Sequence, residues 1–228
     1  MSQPRLVEVR QRVLKQNDLL ARELRECFHR AGVAVISFVS SPGAGKTALL
    51  ETVLTRLQPE YRVAALVGDL ATENDAVRLA RSGAPVRQIV TGTVCHLDAQ
   101  MVQRALDGGA GFSLESLDFL FIENVGNLVC PSSYDLGENL RFVLMSVTEG
   151  EDKPLKYPTI FYTADVAIIA KMDLAAATEF DLEAARRNIQ SVRPGMPVIC
   201  VSAKQGAGLE DLLGAITAVR KVSEAARA

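Results

Sequence analysis

The sequence predicts a three-layer α/β fold, a mostly parallel sheet flanked by helices with an additional helix at the N-terminus, and three observations carry the prediction. Strand-length segments, most of them dominated by apolar residues, recur along the chain, at residues 33–39, 62–67, 86–90, 117–122, 141–147, 166–170 and 198–201. Helical patterns separate several of them, and strand–helix alternation is the arrangement that covers both faces of a parallel sheet. The first run leads directly into Ser40-Ser41-Pro42-Gly43-Ala44-Gly45-Lys46-Thr47 and then into a helical pattern over residues 48–57. A strand enters, a loop of small residues turns, and a helix leaves.

Such a loop gathers successive backbone N–H groups at a helix N-terminus, which together favour an anion. Gly43, Ala44, Gly45 and Ala48 supply backbone to a phosphate chain, Lys46 reaches the outer phosphates, and the Thr47 hydroxyl suits Mg²⁺. The usual pattern opens with Gly where this chain has Ser40, so the match rests on Gly43, Gly45, Lys46, Thr47 and the strand–loop–helix setting. The fold is therefore expected to be that of a P-loop NTPase.

Ahead of this core, Leu6, Val9, Val13, Leu20, Leu24, Cys27 and Phe28 recur near helical spacing, and Gly32 ends the pattern. Residues 1–32 thus read as an N-terminal helix, either packed on the sheet or serving as a docking arm for a partner. Residues 33–228 read as the nucleotide-binding domain. Cys27 and His29 read as structural, the imidazole sitting favourably near a helix C-terminus.

The second strand ends at Gly68-Asp69, on the edge where open α/β sheets bind ligands, which suits Asp69 to Mg²⁺ through water. Thr72-Glu73-Asn74-Asp75 opens a helix. Asp75 there is either a first-turn carboxylate favoured by the helix dipole or a residue of the nucleotide site. After the third strand, Cys95 and His96 stand on a loop entering a helix over residues 98–106. Thiolate and imidazole suit Zn²⁺ or Ni²⁺, while a lone cysteine equally reads as a small buried apolar residue.

The fourth strand, near-continuously apolar, runs into Glu123-Asn124-Val125-Gly126-Asn127-Leu128-Val129-Cys130-Pro131. Glu123 takes the place of the metal-ordering Asp of other P-loop proteins, and Gly126 leaves room for a backbone N–H to face a γ-phosphate. Cys130 shares that segment, so a change at the γ-phosphate can move it. Residues 148–158, rich in alternating charge with two prolines, read as an exposed connector, with Lys153 alternatively reaching a phosphate or a facing subunit. The last two strands lead into Lys171-Met172-Asp173 and Ser202-Ala203-Lys204. A carboxylate accepts from both guanine N1–H and N2–H₂, and a backbone N–H from the second loop suits guanine O6, so the expected nucleotide is GTP. Cys200, inside the last run, reads as core.

Composition narrows the class further. The 228 residues carry a net charge of -2, which provides no basic field for nucleic acid. No stretch offers about 18 uninterrupted apolar residues, and residues 1–6 lack the apolar core of a secretion signal, so the expectation is a cytoplasmic protein. The four cysteines, Cys27, Cys95, Cys130 and Cys200, form no Cys-x-x-Cys pair. Any metal site must then be assembled from distant loops.

Four local strings, residues 41–47, 95–99, 123–131 and 149–154, resemble the HypB family, the P-loop GTPases that insert nickel during maturation of nickel–iron hydrogenases. The resemblance runs over nearly the whole chain from Val33. It implies a GTP-hydrolysing metallochaperone that forms a homodimer with nucleotide bound. Its implied metal ligands for Ni²⁺, or Zn²⁺ as a competitor, fall on Cys95, His96 and Cys130 at the subunit interface. Mg²⁺ falls to Thr47, Asp69 and Glu123, and catalysis to Lys46, Glu123 and Asp75, the last as the residue orienting water. Implied partners are a small zinc-containing nickel-delivery protein docking at the N-terminal segment and the hydrogenase large-subunit precursor. The family's guanine motif begins with Asn where this chain has Ala170; Asp173 is expected to keep the choice of guanine while the missing amide weakens affinity. The chain carries neither an N-terminal cysteine motif nor a histidine-rich tail. A urease-accessory nickel GTPase has Cys-Pro-His in place of the direct Cys95-His96 junction, and a P-loop phosphotransferase would need an acceptor-binding lid.

Overall fold

The structure is a computed structural model that describes residues 4–70 and 73–225. Helix α1 (Pro4–Ala31) precedes β1 (Ala34–Ser40), α2 (Lys46–Leu57), β2 (Val63–Asp69), α3 (Asn74–Ala80), β3 (Val86–Val90), α4 (Ala99–Asp107) and β4 (Phe119–Glu123). There follow β5 (Leu140–Ser146), the short helices α5 (Lys153–Lys156) and α6 (Pro158–Thr163), β6 (Val166–Ala170), α7 (Leu182–Val192), β7 (Val198–Cys200) and α8 (Leu209–Ala225). The seven strands form one sheet in the order β3-β2-β4-β1-β5-β6-β7. Every pairing is parallel.

The expected three layers follow from strand alternation with both faces buried. On β1, Ala34, Ile36 and Phe38 join Leu50, Val53 and Leu54 of α2 and Leu212 and Ile216 of α8 on one face. Val35 turns to the other face with Leu24 and Phe28 of α1 and Val102 of α4. Farther along the same face, Val39, Val143 and Ile169 pack with Ile160 and Phe161 of α6 and Ile189 of α7.

Helix α1 packs on the sheet through Asn17, Ala21, Leu24 and Phe28, a single stripe at helical spacing. The apolar pattern places Val13 in that stripe, whereas Val13 is 49% exposed. The helix stops at Gly32, whose φ of 82° is the left-handed conformation glycine adopts without strain. Val33 N–H and Gly32 N–H then donate to the Phe28 and His29 carbonyls, closing the helix end. His29 is exposed in the last turn.

Two expectations are corrected. Residues 148–158 are exposed or half-buried, as expected, but are not an irregular connector: Ser146 and Glu149 form a reciprocal capping box, two short helices follow, and Pro154 alone of them is buried. Lys153 pairs with Glu149 at 3.0 Å. The chain between the last two strands also holds α7, started by the Asp181 carboxylate accepting from Ala184 N–H. Cys200 is half-buried rather than enclosed, with an Arg186 N–H 3.4 Å from its sulfur.

The segment between β4 and β5 is anchored by a buried ion pair. Glu138 Oε1 accepts from Arg141 Nε at 2.7 Å and from Ser37 Oγ of β1 at 2.9 Å, while Oε2 accepts from Leu136 N–H at 2.7 Å. A second Arg141 nitrogen donates to the Tyr134 carbonyl at 2.7 Å. Removing one partner leaves the other charge buried and uncompensated. Glu138→Ala should lower the unfolding free energy by about 3 kcal/mol in a urea titration, and a change below about 1 kcal/mol would mean that the pair adds little.

Candidate functional site

The Ser40 to Thr47 loop links the C-terminal end of β1 to α2, and its glycines carry the turn: φ is 73° at Gly43 and 98° at Gly45. Side chains with a Cβ are strained in that region. The loop walls a cavity of about 560 Å³ that includes Gly43, Ala44, Gly45, Lys46, Thr47, Ala48, Asp69, Asp75 and Gly126. The sequence-predicted phosphate and Mg²⁺ residues thus meet in one place, except Glu123, which lies directly behind it. Thr72 falls outside the described residues. Asp75 stands in the first turn of α3 and also lines the cavity, so its two readings are compatible.

Glu123, at the end of β4, is 1% exposed and Lys46 is 8% exposed. Glu123 Oε1 lies 3.1 Å from Lys46 Nζ and accepts from Thr47 Oγ1 at 2.6 Å. Its other oxygen, Oε2, is buried without a hydrogen-bond partner. A buried carboxylate left half-satisfied suits a further donor or a cation. Beside it, Leu70 N–H donates to Asp69 Oδ1 at 2.7 Å.

Gly126 approaches the phosphate loop closely. A Cβ at this position would lie 3.0 Å from Pro42 Cα and 3.1 Å from Pro42 N. Only glycine lets the segment after β4 rest against the loop without displacing backbone.

On the opposite side, β6 delivers Lys171 with a φ of 59° and Nζ donating to the Gly43 carbonyl at 2.7 Å. Lys171 lines the cavity. Asp173 and Ser202 lie outside it but join each other, Ser202 Oγ donating to Asp173 Oδ1 at 2.7 Å. Ser202 Oγ also accepts from Gln205 N–H at 3.1 Å, which fixes the turn holding Ala203 and the exposed Lys204. Ala170 is buried at the end of β6, where it packs with the core.

Cys95, His96 and Cys130 converge within the single chain, with one possible ligand atom from each lying within 4.8 Å of the others. The two sulfurs are 2.9 Å apart. Hydrogen bonding to Cys130, with burial, raises the Cys95 thiol above its ordinary pKa. Burial lowers that of the His96 imidazole, leaving it neutral near pH 7, the form that ligates metal. His96 Nδ1 is buried without a hydrogen-bond partner, and the ring lies 4.0 Å from that of Tyr134. Two thiols and a neutral imidazole are a donor set suited to Zn²⁺ or Ni²⁺.

The two centres share a segment. Asn124 Oδ1 accepts from Val125 N–H and from Leu97 N–H, both at 2.9 Å. Asn127 Nδ2 donates to the Cys95 carbonyl at 3.1 Å. The segment that begins at Glu123 and touches Pro42 therefore also grips the Cys95–Leu97 loop and ends at Cys130.

Several contributors were not read from the sequence. Arg78 lines the cavity, held by Glu51 at 2.7 Å. Glu149 accepts from the Ser41 hydroxyl of the phosphate loop, and Tyr134 faces His96. The Glu149 link had one available sign, the Ser146–Glu149 capping-box spacing; the others depend on tertiary approach.

A family model described as CobW/HypB/UreG, nucleotide-binding domain, matches residues 34–200. The hydrogenase maturation factor HypB of Rhizobium leguminosarum bv. viciae is 46% identical over 228 residues, spanning 100% of this chain and 74% of that protein. The crystal structure of HypB from Helicobacter pylori in complex with nickel is 42% identical, with a TM-score of 0.83 over 90% of this chain and 95% of its own. That of the hydrogenase maturation factor HypB from Archaeoglobus fulgidus is 36% identical, with a TM-score of 0.83 over 90% and 99%.

The close approach at Gly126 is testable. Gly126→Ala should push the segment off Pro42 and weaken binding of a non-hydrolysable GTP analogue by about tenfold, on the order of the 1–3 kcal/mol that overpacking costs. Calorimetry giving equal affinities would show that the contact is slack.

Proposed function

Because the chain belongs to the CobW/HypB/UreG family, within its HypB maturation factors, we propose that it is a GTP-hydrolysing nickel chaperone for nickel–iron hydrogenase maturation. The observation that carries this reading is the segment from Glu123 to Cys130, which lies against the phosphate loop at one end and bears a metal-type ligand at the other.

Lys46 would exchange Glu123 for the outer phosphates of GTP, and the released Glu123 carboxylate, with Asp69 and the Thr47 hydroxyl, would hold Mg²⁺ or its waters. The unpartnered Glu123 Oε2 fits that role. Mg²⁺ supplies neutralisation of the β- and γ-phosphate charge. Backbone N–H groups of Gly43 to Ala48 cradle the phosphates, and the Gly126 N–H meets the γ-phosphate. Asp75 orients a water for in-line attack on the γ-phosphorus, releasing phosphate and leaving GDP. Catalysis of this kind is mainly positioning and charge stabilisation. With Arg78 tied to Glu51, turnover should be slow.

Asp173, held by Ser202, accepts from guanine N1–H and N2–H₂, Ala203 N–H donates to O6, and Lys171 and Lys204 flank the base. Nickel is cargo, carried by Cys95, His96 and Cys130. Three donors leave a tetrahedral or square-planar ion open at its fourth position, which suits transfer. With GTP bound, two copies pair through this face; a small zinc-containing protein docks at α1, and the hydrogenase large-subunit precursor receives the ion. Among the described residues no helix is long and apolar enough to cross a membrane.

Lys46→Ala should abolish phosphate release from GTP, and undiminished hydrolysis would remove the nucleotide-site assignment. Coupling is reciprocal by linkage, so GTP and nickel must change each other's affinity by the same factor. Calorimetry should give different Ni²⁺ affinities with GDP and with a GTP analogue, and Cys95→Ala should lose most of the Ni²⁺ binding. Identical affinities in both nucleotide states would eliminate the switch.

A further inference from the structure

Helix α1 contributes a buried polar side chain to its contact face: Asn17 is 5% exposed, on the same stripe as Ala21, Leu24 and Phe28. An amide costs free energy to bury unless both its ends are bonded. Here both are, and each goes to a different ligand-bearing segment. Asn17 Oδ1 accepts from Ala99 N–H at 2.9 Å, three residues beyond His96 at the start of α4. Asn17 Nδ2 donates to the Asp135 carbonyl at 2.9 Å, adjacent to Tyr134, whose ring faces His96, in the chain that continues from Cys130. Two turns farther along α1, an Arg25 N–H group reaches both Asp135 carboxylate oxygens, at 2.7 and 2.8 Å. Burial alone would raise the Asp135 pKa, but Arg25 and the Gly137 N–H hold it below the usual value.

We propose that Asn17 is a positioning residue for the metal centre, one amide clamping the Cys95–His96 loop and the Cys130–Asp135 segment at a fixed separation. The inference rests on the reading of Cys95, His96 and Cys130 as metal ligands. The clamp matters because a metal requires its sulfurs near 2.3 Å and its nitrogen near 2.0 Å, tolerances of a few tenths of an ångström. Groups that orient ligands from behind typically govern metal affinity by about 10- to 100-fold. Helix α1 is thereby part of the metal centre although it supplies no ligand.

The test is Ni²⁺ competition with a chromophoric chelator on the full chain, with the thiolate-to-nickel absorption band recorded for wild type, Asn17→Ala, Asn17→Leu and Cys95→Ala. The Asn17 variants should bind Ni²⁺ about tenfold more weakly, with a shifted band and unchanged affinity for a GTP analogue. Unchanged nickel affinity, or equal losses of nickel and nucleotide affinity, would overturn the clamp and reduce Asn17 to a packing residue. Cys95→Ala separates the two readings: if it keeps the band and the affinity, the ligand assignment itself fails, whereas its loss beside an intact Asn17→Ala defeats only the clamp. Should the Asn17 variants not fold, Arg25→Gln relaxes the same strap from its exposed side. A weaker effect of the same sign is then expected, and nickel binding identical to wild type would overturn the proposal.

Discussion

The buried contact of Glu123 with Lys46 and Thr47 is the constraint on which the rest of the site depends. It joins the end of β4 to the first turn of α2, and both charged partners are nearly sealed from water. A pair of this kind owes its stability to mutual compensation, since an isolated buried charge costs several kcal/mol. It also leaves one Glu123 oxygen unsatisfied. A site so arranged is stable while closed on itself and receptive to a ligand that offers Lys46 an anion and Glu123 a cation. Nothing in the core needs to rearrange, because β1 and β4 are neighbouring strands and their side chains are already packed on both faces.

Beyond Glu123 the chain leaves the sheet with little slack. Gly126 is pressed toward Pro42, Asn124 spends its side-chain oxygen on two backbone N–H groups, and Asn127 is bonded to the Cys95 carbonyl. On the proposed reading a shift of this segment would be transmitted, because each contact is a hydrogen bond or a hard steric approach rather than a soft surface contact. Sheet order supplies the remaining geometry. Strands β3 and β4 flank β2, so the loops that follow them emerge close together, and Cys95 meets Cys130 across 35 residues of sequence.

Much of this was legible in the chain. The strands were readable because those buried on both faces are short, mostly apolar runs, and the phosphate loop because glycine is needed where φ is positive. The bond between Ser202 and Asp173 joins two strand-end motifs that the sequence had already paired with one base. Three kinds of feature were not legible. Helices α5 and α6 are four and six residues long, too short for periodicity to register, and their charged residues read as a loop. Asn17 was invisible because a polar residue in an apolar stripe carries no sign of the two backbone groups it will bond. The roles of Tyr134, Glu149 and Arg78 depend on approach between distant segments, which no local pattern encodes.

The central claim is that nucleotide state reaches the metal ligands through residues 123–130. Its most direct test is the rate at which a chelator strips Ni²⁺ from wild type and from Asn127→Ala, each saturated with either GDP or a non-hydrolysable GTP analogue. The account predicts a nucleotide-dependent rate in wild type that collapses toward a single value in Asn127→Ala, because the bond to the Cys95 carbonyl is gone while the proposed ligands Cys95, His96 and Cys130 remain. The same nucleotide-dependent ratio in both proteins would contradict it.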